Sequence, residues 1–307
     1  MPTIAFLGPP GTFAHAALLT LATAARAELL PLANVTLAID ALRDGRADGA
    51  LVPLENSVEG AVPATLDELA GGDPLRIAEE TYLPVLFDLM ARPGTTLDDV
   101  KSVATHPHAE AQTRRWLMEN LPDAHVALVG STAGGAQAVA QGDYDAAIAP
   151  VVAAEIYGLQ ALAHDVADNH GAVTRFILLA RPAPPGPATG NDRTTIVAYL
   201  RSDHSGALLE ILSEFATRGV NLTRIESRPT KERIGQYCFS IDCEGHIADE
   251  RVGDAIAGLK RICSDVRFLG SYARREGVQS PVPPGRTNTD FRSARAWLDA
   301  IRTSGGS

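Results

Sequence analysis

The feature that most constrains the fold is a run of prolines and glycines, RPAPPGPATGND, between Arg181 and Asp192. Proline lacks a backbone N–H donor and glycine is conformationally loose, so a run of this composition continues neither a helix nor a sheet. The chain has 307 residues, which is long for a single hydrophobic core. We therefore predict a linker at 182–192 that separates an N-terminal domain, 1–181, from a C-terminal domain.

The N-terminal domain alternates between short apolar runs and helical patterns. The predicted strands are 3–7, 47–53, an extended stretch at 75–90, 99–105, 126–129, 145–149 and 176–180. The predicted helices are an alanine-rich run from 13 to 26, then 62–69, 109–119, 132–141 and 151–156. This alternation is typical of an α/β fold with a largely parallel sheet covered by helices.

The C-terminal domain has a different pattern. Strands are predicted at 193–200, 221–228, 236–243 and 265–272, with helices at 205–217 and 249–260. The order βαββαβ within about eighty residues predicts a ferredoxin-like sandwich. A tail, 276–307, is loop-like as far as Asp290. Phe291, Ala294, Trp297, Leu298 and Ile301 then recur at helical spacing. They predict one short amphipathic helix whose Trp297 packs on the protein.

Charge and cysteine content exclude several classes of function. The net charge is −10, which disfavours nucleic-acid and anionic-membrane partners. No apolar run reaches the ~18 residues of a membrane span, and the N-terminus has no signal-peptide pattern.

The three cysteines, Cys238, Cys243 and Cys263, have no metal-binding spacing, and the eight histidines are scattered. We expect a reduced cytoplasmic protein with no disulfide and no metal site.

Polar residues follow several predicted strands, where α/β sheets place their ligands. They occur in five groups, at 8–13, 55–57, 105–108, 131–132 and 174–175. Thr12 is a predicted helix N-cap, and free N–H groups at a helix N-terminus favour an anion. Each group taken alone has a plainer explanation as a tight turn, a helix cap or a solvated loop.

Taken together, the motifs resemble those of prephenate dehydratase, in the family's order. GPPGTF at 8–13 is similar to its GPxGTF turn, VPLENSVEG at 52–60 to its PxENSxxG loop and THP at 105–107 to its SHP turn. Ser131-Thr132 is similar to its ST pair, and TRF at 174–176 matches its TRF signature. GAL at 206–208 and ESRP at 226–229 match the regulatory ACT domain. Ala14, Ala172 and Ser205 depart from the pattern.

The resemblance implies an α/β catalytic domain with the two-lobed fold of type II periplasmic binding proteins. We place lobe one at 1–80 and 166–181, and lobe two at 81–165. The ferredoxin-like ACT regulatory domain is placed at 193–275. The ligand cleft is expected between the lobes.

The resemblance also implies a reaction, the conversion of prephenate to phenylpyruvate, water and CO₂ in L-phenylalanine biosynthesis. This is the reaction of a carbon–oxygen lyase, and it needs no cofactor. Thr174 is assigned the hydrogen bond to the departing hydroxyl, Arg175 a carboxylate contact, and Glu55 or His106 the supply of the proton. The catalytic residues expected are Thr174, Arg175 and Glu55, and the substrate-binding residues are Thr12, Phe13, Asn56, Ser57, His106, Ser131, Thr132 and Phe176.

The ACT motifs imply feedback inhibition by phenylalanine in a homodimer or homotetramer assembled through the ACT domains. The expected effector-binding residues are Gly206, Ala207, Leu208, Glu226, Ser227, Arg228 and Pro229. A purely structural alternative is an ion pair between Glu226 and Arg228 on an edge strand. Two other functions stay open at this point: arogenate dehydratase, and an amino-acid-sensing binding protein without catalysis.

Overall fold

A computed structural model describes residues 1–230, 236–278 and 281–304. The chain forms two compact units, Met1–Thr65 with Thr81–Leu178, and Leu66–Glu80 with Leu179–Ser307. The segment Leu66–Glu80, which the sequence analysis assigns to lobe one, therefore makes most of its contacts with the C-terminal unit. Residues 231–235 and the tail positions 279–280 and 305–307 lie outside the described part of the chain.

The N-terminal part of the chain contains eleven strands and six helices among its described residues. The strands are β1 (Thr3–Leu7), β2 (Glu28–Leu32), β3 (Gly49–Asn56), β4 (Gly60–Ala61), β5 (Arg76–Pro84), β6 (Asp88–Ala91), β7 (Ser102–Thr105), β8 (His125–Leu128), β9 (Ala146–Ala149), β10 (Gln160–Ala163) and β11 (Val173–Ala180). The helices are α1 (Phe13–Leu19), α2 (Val35–Arg43), α3 (Pro63–Ala70), α4 (Pro107–Asn120), α5 (Thr132–Gln141) and α6 (Val151–Tyr157).

These strands form two sheets. The first has the order β2-β1-β3-β11-β5, with the short β4 paired to β3, and the second has the order β10-β6-β9-β7-β8. β1 pairs in parallel with β2 and β3, and β7 pairs in parallel with β8 and β9. β6, however, pairs antiparallel with β9 and β10. The expected parallel pairing is therefore correct in part, because the second sheet is mixed.

Three boundaries differ from the sequence prediction in ways that matter for the site. β3 continues to Asn56, and β11 begins at Val173, so Glu55, Asn56, Thr174 and Arg175 lie within strands rather than beside them. Strand pairing extends both elements by supplying backbone partners to polar residues. The helix predicted to reach residue 26 ends at Leu19. The Thr20 hydroxyl donates to the Ala17 carbonyl at 2.7 Å, a bond that competes with helix continuation.

The C-terminal unit has the predicted βαββαβ order. Its elements are β12 (Asp192–Tyr199), α7 (Ala207–Ala216), β13 (Leu222–Pro229), β14 (Tyr237–Glu244), α8 (Glu250–Ile262) and β15 (Asp265–Ala273). The sheet order is β13-β14-β12-β15, and the neighbouring strands are antiparallel. Apolar side chains of both helices and the inner sheet face form one core, which contains Ile196, Phe215, Ile241 and Leu259. The ferredoxin-like prediction is confirmed.

The tail helix and the cysteines complete this unit. α9 (Asn288–Ser304) is longer than predicted, and Trp297 is 67% exposed, so the expectation that Trp297 packs on the protein is wrong for this chain. All three cysteines are free and buried. Burial raises the pKa of Cys243 to about 12 and that of Cys263 to about 11, so both thiols stay protonated.

A buried ion pair holds Glu80 in the C-terminal unit. Glu80 is 1% exposed, and its carboxylate accepts hydrogen bonds from the Arg193 guanidinium and from the Arg275 backbone N–H. Removing one member of a buried pair leaves the other charge uncompensated. The neighbouring Glu79 instead contacts Arg275 at the surface, where an ion pair contributes little.

Replacing Glu80 tests this assignment. We expect Glu80→Ala to lower the free energy of unfolding by about 3–5 kcal/mol, and Glu79→Ala by about 1 kcal/mol or less. Urea denaturation of the full-length variants, followed by circular dichroism, measures both. Equal losses in the two variants would contradict the buried-pair account.

Candidate active site

A cavity of about 550 Å³ lies in the N-terminal unit, lined by residues from both sheets and their connecting turns. Eight of the predicted catalytic and substrate-binding residues line it: Thr12, Phe13, Asn56, His106, Ser131, Thr132, Thr174 and Phe176. Glu55, Ser57 and Arg175, which were predicted to contact substrate, are absent from the described lining. The structure therefore brings most of the motifs to one place and leaves three of their residues outside the described lining.

Three helices begin at the cavity, and each is capped by a residue that lines it. Thr12 Oγ1 accepts a hydrogen bond from the His15 N–H at 3.3 Å, Ser131 Oγ from the Gly134 N–H at 2.9 Å, and His106 Nδ1 from the His108 N–H at 3.2 Å. The positive ends of three helix dipoles consequently face the same space. Helix N-termini favour anions without contributing a formal positive charge.

The Glu-Asn-Ser run at 55–57 contacts strand β11, which carries the TRF motif, one residue after another. Arg175 Nη1 donates to Glu55 Oε1 at 3.0 Å, and Asn56 Nδ2 donates to Thr174 Oγ1 at 2.8 Å. Ser57 exchanges two bonds with Val173, its N–H donating to the carbonyl at 2.9 Å and its hydroxyl oxygen accepting from the N–H at 3.0 Å. These two motifs, more than a hundred residues apart in sequence, hold one another in register.

Arg175 occupies the interior and not the surface. It is 2% exposed, and its guanidinium forms an ion pair with Glu55, whose side chain is partly exposed. The cost of burying the cation is offset by this carboxylate. Arg175 is therefore a buried cation with a carboxylate partner. Its predicted contact with a substrate carboxylate is untested by this geometry.

Asn56 determines which way the Thr174 hydroxyl can donate. Asn56 Oδ1 accepts from the N–H groups of Val58 and Glu59, at 2.8 and 2.9 Å, which fixes the orientation of the amide. Its Nδ2 must then donate to Thr174 Oγ1. Since the hydroxyl oxygen already accepts this bond, its own proton is available to another acceptor. Thr174 lines the cavity and is 8% exposed.

Sequence reasoning missed three polar residues of the lining: Glu59, His108 and Gln112. His108 and Gln112 lie four residues apart on α4, so helical spacing from Pro107 could have placed them on one face. Among the described lining residues Glu59 is the one carboxylate, and none is lysine or arginine. The cavity therefore has three helix N-termini as its electropositive groups.

His106 is held as a neutral hydrogen-bond donor. Partial burial lowers the pKa of His106, and the neighbouring His108 lowers it further, so the imidazole is neutral at pH 7. Its Nδ1 accepts from the His108 N–H, which leaves the proton on Nε2. A neutral imidazole with a fixed tautomer can donate one hydrogen bond to a ligand in the cavity.

The predicted effector motifs lie on two elements of the C-terminal unit. Gly206, with φ +94°, caps α7, which begins with Ala207 and Leu208. Glu226, Ser227, Arg228 and Pro229 end β13, an edge strand of its sheet. Arg228 forms an ion pair with Asp67 of α3, with Nη2 to Oδ1 at 2.8 Å.

The fold and the cavity together define a class. A two-sheet α/β unit whose cavity is built from helix N-termini, followed by a ferredoxin-like unit, is a small-molecule enzyme domain joined to a regulatory domain. The family model described as "Prephenate dehydratase" matches residues 4–184, and the model described as "ACT domain" matches residues 194–261. The chain belongs to the prephenate dehydratase family.

Named relatives agree with this assignment. A prephenate dehydratase of Amycolatopsis methanolica is 50% identical over 98% of each chain. The crystal structure of a prephenate dehydratase from Arthrobacter aurescens, in complex with L-Phe, is 52% identical, covers 98% of this chain and 99% of its own, and superposes with a TM-score of 0.92. A structure described as a novel type of quorum quenching acylase is 33% identical, with a TM-score of 0.79 over 89% of this chain and 98% of its own.

The same comparisons confirm the expected fold class, a periplasmic-binding-protein-like catalytic region with a C-terminal ACT domain. In the described residues no helix is long and apolar enough to cross a membrane. A search of those residues also finds no cluster of three or more metal-binding side chains.

The lowered pKa of His106 predicts a pH dependence of stability. Between the ordinary value of 6.5 and the lower folded value, the unfolded chain binds more protons than the folded chain, so stability falls as pH falls through this window. His106→Asn retains an N-cap acceptor but does not titrate. Urea unfolding at pH 7.5 and 5.5 should show a smaller acid loss for this variant, and equal losses would contradict the account.

Proposed function

We propose that this chain converts prephenate to phenylpyruvate, CO₂ and water, the activity for which its relatives are named. The observation that supports this best is the Thr174 hydroxyl, which lines the cavity and is held by Asn56 with its proton free to donate. The acylase activity named for the 33% relative is not carried over, because the relatives at 50% and 52% identity are prephenate dehydratases.

The reaction needs little from the protein beyond one donor and correct placement. Decarboxylation of the ring carboxylate supplies an electron pair, which aromatises the ring as the C–O bond to the hydroxyl breaks. The departing oxygen gains negative charge, and a hydrogen bond from Thr174 stabilises it. A threonine hydroxyl is a weak acid, so the proton that completes the water molecule comes from another group. We assign it to solvent water: the neutral His106 supplies a second hydrogen bond from Nε2–H to the departing oxygen, and Glu55 does not line the cavity.

The substrate carboxylates are held by neutral donors in this proposal. The N-termini of α4 and α5 and the hydroxyls of Ser131 and Thr132 supply those donors. The Thr12 hydroxyl lines the cavity but donates to the Leu7 carbonyl at 2.8 Å. A formal cation on the departing carboxylate would stabilise the ground state more than the transition state and slow its loss. Helix N-termini bind the anion more weakly, which suits a group that leaves as neutral CO₂.

Arg175, Glu55 and Ser57 act as positioning residues in this proposal. Their bonds fix β11 against β3 on either side of Thr174. We expect Arg175→Met to lower kcat by about tenfold or more and to destabilise the fold by about 1–3 kcal/mol, because Glu55 loses a charge-assisted hydrogen bond while staying partly solvated. Glu55→Gln/Arg175→Met, which removes both charges, should recover much of the stability. Full stability in the single variant would contradict the positioning role.

Regulation by phenylalanine belongs to the same proposal. The Arthrobacter aurescens relative is described in complex with L-Phe, and the GAL and ESRP motifs lie on α7 and β13. We propose that phenylalanine binds at these motifs and inhibits the enzyme, that the chain forms a homodimer or homotetramer through its ACT domains, and that it acts in the cytoplasm. Three free, buried cysteines suit a reducing compartment.

The test of the function is phenylpyruvate formation from prephenate by the purified full-length chain, with and without phenylalanine. We expect the unaltered chain to form phenylpyruvate. Thr174→Val should abolish this turnover, because valine has the same shape as threonine but no hydroxyl to donate a hydrogen bond. Phenylalanine should suppress the turnover of the unaltered chain. Absence of turnover would refute the proposed function.

Gly206 offers a specific test of the effector site. Its φ of +94° disfavours a side chain, so Gly206→Ala should distort the start of α7. We expect the phenylalanine concentration for half-inhibition to rise about tenfold, with uninhibited kcat within about twofold. Gly190→Ala, at φ +89° in the linker, is the matched control and should leave inhibition unchanged. Equal effects of the two variants would contradict the assignment.

A further inference from the structure

Among the hydrogen bonds between the two predicted lobes, one lies at the cavity and joins connecting segments of the two sheets. Gln112 Nε2, on α4, donates to Glu59 Oε1, in the turn between β3 and β4, at 3.2 Å. Both side chains line the cavity. Glu59 lies in the 52–60 motif, but neither its side chain nor that of Gln112 has a role in the proposed chemistry, so the bond needs its own explanation.

Each end of this bond is fixed by backbone contacts. The Glu59 N–H donates to Asn56 Oδ1 at 2.9 Å, which ties the turn to the residue that orients Thr174. The Gln112 carbonyl accepts from the Asp168 N–H at 2.7 Å, and the Asp168 carboxylate accepts from the N–H groups of Arg115 and Trp116 at 2.9 and 3.0 Å. The side chains therefore meet from two anchored segments.

We propose that Glu59 and Gln112 form an interlobe latch, a pair of positioning residues that holds the cavity closed around the substrate. The proposal rests on the proposed function for its substrate. Closure excludes water and brings the α4 N-terminus, with His106, towards the side of the cavity that carries Thr174. Glu59 serves as the acceptor in the latch and not as a substrate contact, since its charge has the same sign as prephenate.

The alternative is that Glu59 acts by charge alone, repelling a dianionic substrate. The two accounts predict different values of KM for the same two variants. Removing the latch by Gln112→Leu keeps the Glu59 charge, whereas Glu59→Leu removes both the charge and the latch. The latch account predicts that KM for prephenate rises about fivefold in each variant, with kcat within about twofold. The charge account predicts no change in Gln112→Leu and a lower KM in Glu59→Leu.

Charge exchange supplies the rescue experiment. Gln112→Glu places two carboxylates together and should raise KM more than Gln112→Leu does. Glu59→Lys combined with Gln112→Glu restores an attractive pair of reversed polarity and should return KM to within about threefold of the unaltered chain. A double variant no better than Gln112→Glu, or a lower KM in Glu59→Leu, would overturn the latch.

A distance measurement separates failure of the latch from failure of the proposed function. Spin labels at Asp44→Cys and Glu119→Cys, two exposed positions on different lobes, report the interlobe distance in the full chain; the native cysteines are buried. Gln112→Leu should lengthen or broaden the distance distribution, and the charge-exchanged pair should restore it, whether or not prephenate is turned over. Identical distributions in all variants would refute the latch.

Discussion

The site depends on one hydrogen bond, from Asn56 Nδ2 to Thr174 Oγ1. A hydroxyl can donate in any of several directions, and it becomes a useful donor when its oxygen already has a partner. Asn56 supplies that partner, and two backbone N–H groups hold the Asn56 amide in turn. The ion pair of Glu55 with Arg175 and the bonds between Ser57 and Val173 flank it. The pairing of two strands thereby sets the direction of one proton.

The same strand contacts also determine which charged groups face the cavity. The one cation nearest to Thr174 in sequence, Arg175, is turned into the interior and paired with Glu55. In the proposed function the anionic ligand binds at helix N-termini, which Thr12, His106 and Ser131 cap. Such a site can bind a dianion without strongly stabilising the carboxylate that must leave. The latch between Glu59 and Gln112 would close this neutral site without adding a cation.

The sequence predicted the order of the elements well in the C-terminal unit, because hydrophobic periodicity and turn residues are local signals, but it did not predict β2, α2, β4 and β10. Eight of the eleven predicted catalytic and substrate-binding residues line the cavity, since motifs at the carboxyl ends of strands converge in an α/β fold. It did not predict that Glu55, Ser57 and Arg175 lie outside the described cavity lining, because strand pairing between distant segments leaves no local pattern. The assignment of Leu66–Glu80 to the C-terminal unit depends on long-range contacts such as that of Glu80 with Arg193. Helical spacing likewise does not indicate that Trp297 on α9 is exposed.

The central claim, that Asn56 directs the Thr174 proton, is tested most directly by Asn56→Asp. This change keeps an oxygen for the Val58 and Glu59 N–H groups but replaces the N–H donor with an acceptor, which draws the Thr174 proton away from the substrate. We predict that kcat falls by about 10²–10³, and that combining it with Thr174→Ala lowers kcat no further than Thr174→Ala alone. A near-normal kcat in Asn56→Asp, or additive losses in the double variant, would contradict the account.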